Sequence, residues 1–287
     1  MFRRLTSHLI ISLAVFTLIA SFYVWFLDSV LLNPSRLVPT LNDAGVMREV
    51  ATLLPEKVAE NADSNERDEI KAKITQIVTP QYAQTKVDAI AQSMTTFIRE
   101  GSPQPTLDIS DFPAKLRQSG VDVGQDIDKN FAKPIELNKS GNLDKLPQVY
   151  KFFKYAKIIG IVIFVLLLVL EWYIAVRGEK MKRIGRVFLH AGLWFFTFWA
   201  VVAFLPSRFL PKLKQQINDV SVYDLLDSVA RAIKHLFGGY FLSAAVVCAV
   251  LAISLYLLRH AKKHIKTIEE QTVQVRKKTQ NTTAQRK

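Results

Sequence analysis

The sequence has a single cysteine, Cys248, so no disulfide can form within the chain and any folded domain rests on packing alone. It has no Gly-x-Ser-x-Gly elbow, no P-loop and no dinucleotide-binding glycine fingerprint. Those absences remove the usual signatures of serine hydrolases, phosphate-loop NTPases and Rossmann enzymes. Acidic residues are scarce too, but only on some stretches of the chain. That unevenness carries the most information.

Four long apolar runs are present, Leu9–Leu27, Ile158–Val176, Val187–Leu205 and Gly238–Leu258. Each has the length a helix needs to cross a bilayer core. The formal net charge is +13. The N-terminus, the loop Arg177–Arg186 and the tail Arg259–Lys287 carry 16 Lys and Arg against three acids, Glu179, Glu269 and Glu270. The long piece Asp28–Lys157 carries 17 basic and 18 acidic residues, and Pro206–Phe237 carries five and three. Basic residues beside span ends stay on the cytoplasmic face. The excess charge is therefore an orientation signal and not a nucleic-acid-binding surface.

The sequence predicts an all-α membrane protein with four transmembrane helices plus a mainly helical extracytoplasmic domain. The expected order is a cytoplasmic N-terminus (1–8), a first span (9–27), the extracytoplasmic domain (28–157) and a second span (158–176). A cytoplasmic loop (177–186), a third span (187–205), an outer loop with an amphipathic helix (206–237), a fourth span (238–258) and a basic cytoplasmic tail (259–287) follow. The bulky run Ser21-Phe22-Tyr23-Val24-Trp25 offers no small-x-small cleavage site, so the first run reads as an uncleaved anchor.

Within the polar domain, Asn42 or Asp43 is placed to cap a helix carrying Val46, Val50, Leu53 and Leu54 at helical spacing. A charged helix is expected over Glu66–Val78. Thr79-Pro80 opens another that stops at Gly101. Leu107, Ile109 and Phe112 mark a short strand-like stretch, and Pro113 enters a short helix. Gly120–Gly141 reads as loop. From Leu146 a helix runs into the second span, with Tyr150, Phe152, Phe153 and Tyr155 as an interfacial aromatic belt. Val222, Leu225, Leu226, Val229, Ile233 and Leu236 form one apolar stripe after a candidate cap at Ser221. That helix can lie in the interface or dock on the domain, and Gly238-Gly239 offers a bend after it.

Candidate chemistry is sparse. Glu171 is the only acid within a predicted span, and such residues are functional hypotheses by default. Its place near Arg177 also lets it reach headgroups or a basic residue of the inner loop. His190, one turn into the third span, is its candidate partner in an intramembrane polar pair. Arg177, Lys180, Lys182, Arg183, Arg259, Lys262 and Lys263 are expected to contact anionic lipid headgroups at the cytoplasmic face. Asp126, Asp128 and Asn130 imitate the start of a calcium loop, but Phe131 and Leu137 stand where glycine and a bidentate acid are required. His260 and His264 have metal-compatible spacing without a third ligand. Asn138-Lys139-Ser140 matches a glycosylation acceptor. Cys248 reads as a small apolar residue.

Leu31-Leu32-Asn33-Pro34 at the exit of the first span, with Pro105-Thr106-Leu107-Asp108-Ile109-Ser110 in mid-domain, resembles uncharacterised bacterial integral membrane proteins with a helical ectodomain after the first span. The resemblance covers Asp28 to about Leu205 and implies that architecture without any activity. The expectation is a plasma-membrane protein with both termini cytoplasmic and no cofactor. It would be a non-enzymatic envelope scaffold or accessory subunit that contacts another protein through its ectodomain. The alternatives are a ligand-sensing signal transducer, and a small transporter or channel component using Glu171 and His190.

Overall fold

The computed structural model describes residues 2–59, 67–120, 133–138, 141–176, 178–216 and 220–284, which are mostly helical. The elements are α1 (Phe2–Phe26), a π-helical turn (Leu27–Leu31), α2 (Pro34–Asp43), α3 (Val46–Ala59), α4 (Arg67–Ile77) and α5 (Pro80–Glu100). They continue with β1 (Thr106–Leu107), α6 (Phe112–Gln118), β2 (Ile135–Glu136), α7 (Leu146–Ile174), α8 (Lys180–Gln216) and α9 (Val220–Ala284). Four helices are long and apolar enough to cross a membrane, over Leu5–Leu31, Leu146–Ile174, Lys180–Leu213 and Val220–Lys262. The chain divides into two compact units, one of Met1–Ala20, Ile159–Thr197 and Phe241–Lys287, the other of Ser21–Ile158 and Phe198–Tyr240.

In the first unit, buried side chains come from α1 (Ile10, Ile11, Ala14, Val15), α8 (Val187, Ala191, Phe195) and α9 (Phe241, Ala245, Cys248, Ala252). Many are small. A Cβ on Gly192 would lie 3.1 Å from the Cys248 Cβ and 3.4 Å from the Ala245 carbonyl oxygen. The α8 and α9 backbones thus approach as closely as a glycine allows. Close backbone approach is the main source of attraction between helices whose alternative neighbour is an equally apolar lipid tail.

In the second unit, turn chemistry sets the helix ends. Asn42 and Asp43 do not cap α3; they close α2. Gly45 takes φ +88°, its N–H bonds the Asn42 carbonyl at 2.9 Å, and α3 starts directly after it. That left-handed position ends a helix and suits a residue without Cβ. The predicted α5 boundaries are observed. Thr79 Oγ1 accepts the Tyr82 N–H at 3.2 Å, and Gly101 closes the helix at φ +83°. β1 and β2 form a two-residue antiparallel ladder, Thr106 opposite Glu136, so part of the stretch read as loop is strand.

The apolar faces of α2 to α6 form the core. Ala51, Ile74, Ile77, Val78 and Leu116 make one cluster, and Val38, Met47 and Ala83 make another. The amphipathic start of α9 docks on the α2–α3 corner, where Ala232 packs with Ala44 and Val46, and with Leu225 and Val229 alongside. The same region shows why Gly238-Gly239 does not bend the chain. Trp199 packs over Gly238 and α9 continues through it. In apolar surroundings a broken backbone ladder costs more than the entropy lost by a helical glycine. Pro206 and Pro211 likewise lie within α8.

Candidate functional site

Asp28 comes one residue after the first apolar run. The chain there winds as a π-turn, with a Leu32 N–H to Leu27 carbonyl bond of 2.9 Å. Pro34 explains the stop, since the residue before a proline is driven to extended backbone, and Asn33 has φ −122° and ψ 98°. Arg99 takes up the carbonyls around the turn. Its Nη2 donates to Leu32 O at 2.9 Å and to Asp28 O at 3.2 Å.

The Asp28 carboxylate is the centre of a cluster. Tyr150 donates its hydroxyl to Oδ1 at 2.8 Å, and Lys157 donates Nζ to Oδ2 at 2.8 Å. Arg99 Nη2 lies 3.6 Å from Oδ1. Tyr150, Lys154 and Lys157 follow the i, i+4, i+7 spacing of one face of α7. A cavity of about 290 Å³ opens beside them. Val24, Leu27, Leu31, Ile98, Leu146 and Phe153 form much of its wall, and Asp28, Tyr150, Lys154 and Lys157 contribute its polar groups. Single π-turns within helices are frequent at functional sites.

A second polar cluster lies in the other unit. Glu171 is 1 % exposed. Ser7 donates its hydroxyl to Glu171 Oε1 at 2.6 Å, and Arg183 Nη1 donates to the same oxygen at 3.4 Å. Arg183 also reaches Glu179 at 3.3 Å. Glu171 Oε2 is buried and has no hydrogen-bond partner among the described residues. A cavity of about 270 Å³ is lined there by Ser7, His8, Ile11, Glu179, Arg183 and Arg186. His190 is exposed and lines a different cavity with Ser12, Phe16 and Trp194. Glu171 is thus brought together with Arg183, in the first turn of α8, and with Ser7, and not with His190.

The other predicted residues are placed as follows. Lys180 stacks over the Trp172 ring at 5.0 Å, and Arg259 donates to Gly178 O at 3.3 Å. Lys182 is half-buried and Lys262 exposed. Arg177, the calcium-like run from Asp126 to Phe131, and the side chains of Lys263 and His264 lie outside the described residues. Asn138 is 9 % exposed, and its Nδ2 donates to Gln104 at 3.1 Å and Asp144 at 2.7 Å. Its amide is spent on bonds within the fold, since Oδ1 also accepts the Leu143 N–H at 2.9 Å. Among the described residues no three His, Cys, Asp or Glu side chains converge as a metal site.

In the polar domain, Asp111 gathers Lys86 (2.6 Å), Lys115 (3.3 Å) and the Tyr82 hydroxyl (3.2 Å). Lys115 also lies 4.3 Å above the Tyr82 ring. Burial pushes the Asp111 carboxyl up, but the hydrogen bonds from Lys86 and Lys115 outweigh it and hold the pKa below its ordinary value. The Tyr82 phenol is raised by burial and then by the Asp111 charge. The cluster locks α5 to the start of α6.

The sequence reading missed the Asp28 cluster. The available signal was an acid at the exit of one apolar run and a Tyr-Lys-Lys stripe at the entrance to the next. These features define a helical protein with four helices fit to cross a membrane and two polar clusters on them. Comparison with protein-family models, with curated proteins and with solved structures found no match to this chain.

Proposed function

We propose that the chain is a multi-pass plasma-membrane protein with both termini cytoplasmic. On this reading it serves as a non-enzymatic envelope scaffold or accessory subunit and binds another protein through the polar domain outside. The observation that carries the reading is how that domain uses its polar groups. Asp111 is spent on Lys86, Lys115 and Tyr82, and Asn138 on Gln104 and Asp144. Side chains committed to internal packing present a shape to a partner. The near-equal count of acids and bases in Asp28–Lys157 lets such a partner approach without a strong field. The basic inner pieces support the orientation and a contact with anionic headgroups.

The test is site-specific photocrosslinking in native membranes from exposed positions on α4 and α5, Thr75 and Gln92. One partner should attach from these positions, and it should leave the membrane fraction when the chain is deleted. Adducts to lipid alone, or a partner whose level ignores the deletion, reject the reading.

A second reading, a small transporter or channel component, is favoured by the unpartnered Glu171 Oε2. A buried carboxylate oxygen without a donor is a place for a proton or a cation. In proteoliposomes, Glu171→Gln should abolish a proton-dependent flux; unchanged flux removes this reading.

A further inference from the structure

The Asp28 cavity joins two features that its structural role leaves unexplained. Much of its wall is hydrocarbon, from Val24, Leu27, Leu31, Ile98, Leu146 and Phe153, and its volume of about 290 Å³ is at the lower end of pockets that hold a small ligand. Its polar groups are biased to one sign. Lys154 and Lys157 line it against one carboxylate, Asp28, which Arg99, outside the lining, also approaches at 3.6 Å. Lys157 and Arg99 are engaged with Asp28, while Lys154 is exposed and has no acidic partner among the described residues.

The position in the sequence fits this composition. The apolar run of α1 ends at Leu27, and that of α7 begins at Ile158. The cavity lining is drawn largely from the residues flanking these two points, Val24–Leu32 and Leu146–Lys157. In a bilayer such residues lie at the headgroup level, where an amphiphile places its phosphate above and its chain below. The π-turn widens α1 at this place, and Arg99 holds the turn open through the Leu32 carbonyl. Exposed Phe152 and Tyr155 flank Lys154 on α7, side chains suited to an interface.

We propose that this cavity binds one anionic phospholipid, with an acyl segment against Val24 and Leu27, on the membrane side of Asp28, and the phosphate on Lys154 beside Lys157. The binding needs both parts. The hydrocarbon wall gives affinity for any lipid chain. The unneutralised lysine selects an anionic headgroup over a zwitterionic one. The Asp28–Lys157 bond holds Lys157 at the site and keeps its charge from collapsing onto the lipid.

The experiment uses the full chain purified in a mild non-ionic detergent and titrated with phosphatidylglycerol or phosphatidylcholine. Bound lipid is counted by native mass spectrometry. One phosphatidylglycerol should be retained in preference to phosphatidylcholine. Lys154→Gln, an exposed substitution, should lower that retention about fivefold, the weight of one lysine at a lipid surface. Val149 also lines the cavity, and Val149→Trp, which fills it, should lower retention of both lipids. Circular dichroism of each variant should match the parent. Equal retention of the two lipids overturns the proposal, as does retention unchanged in Lys154→Gln. If Val149→Trp does not fold, Lys154→Gln alone still decides. Displacement of the lipid by free inorganic phosphate overturns it too, because the site would then read the phosphate and not the chain.

Discussion

Lys157 donates to Asp28 at 2.8 Å across 129 positions of sequence, and Tyr150 donates to the other carboxylate oxygen. Asp28 is thereby tied to two points on α7. Charge-assisted bonds of this kind are shorter and stronger than neutral ones.

Removing the acid leaves both donors short of a partner. Asp28→Ala should destabilise the protein by about 2 kcal/mol, the usual cost of a partly buried donor left unsatisfied. Lys157→Gln should cost less, since Tyr150 keeps its bond. A double-mutant cycle on thermal unfolding in detergent should give a coupling energy of about 1 kcal/mol. Strict additivity would show that the bond contributes nothing.

Asp111 has a folded pKa below its ordinary value of 3.8. A depressed carboxylate stabilises the fold above its unfolded pKa, and the contribution drains away as pH falls through the folded value. The stability advantage of the parent over Asp111→Asn should therefore be constant above about pH 5 and shrink below about pH 4. Amide exchange in α5 and α6 across that range measures it. An advantage independent of pH would mean that the lysines do not stabilise the charged form.

Glu171 is buried with Ser7 and Arg183 on one oxygen. Glu171→Ala removes the acceptor of Ser7 and leaves Arg183 with Glu179 alone, and should cost about 2 kcal/mol. Glu171→Gln keeps an acceptor for both donors and should cost roughly half as much. Unfolding by a denaturing detergent distinguishes them. A Glu171→Gln protein as stable as the parent would show that the charge of Glu171 is irrelevant to the packing.

Cys248 reports on the α8–α9 seam. It is 6 % exposed and faces Gly192. Gly192→Leu forces the two backbones apart and should cost about 1–3 kcal/mol of overpacking. Maleimide should label Cys248 slowly in the parent and many times faster in the variant. Equal labelling would place the thiol outside a close seam.

Much of the helix layout is legible in the sequence, because its determinants are local. Thr79-Pro80 and Gly101 bracket α5 through a side-chain cap and a left-handed stop, both set by the residues themselves. The same local logic erred at Asn42 and Asp43. Pro34 at a first helical turn allows an earlier helix, α2, and those residues became its end. It erred again at Gly238-Gly239, where the tendency of glycine to bend yields to the cost of opening a backbone ladder against Trp199.

By itself the sequence determined four helices fit for a membrane, the segregation of positive charge, and the amphipathic stripe from Val222 to Leu236. Each depends on composition or on a period of a few residues. Only the tertiary structure decided that this stripe docks on Ala44 and Val46, that Glu171 meets Ser7 and Arg183 instead of His190, and that Asp28, Arg99, Tyr150 and Lys157 surround a cavity. These partners stand far apart in the chain. Their meeting is fixed by the collective packing of helices, which no local period encodes.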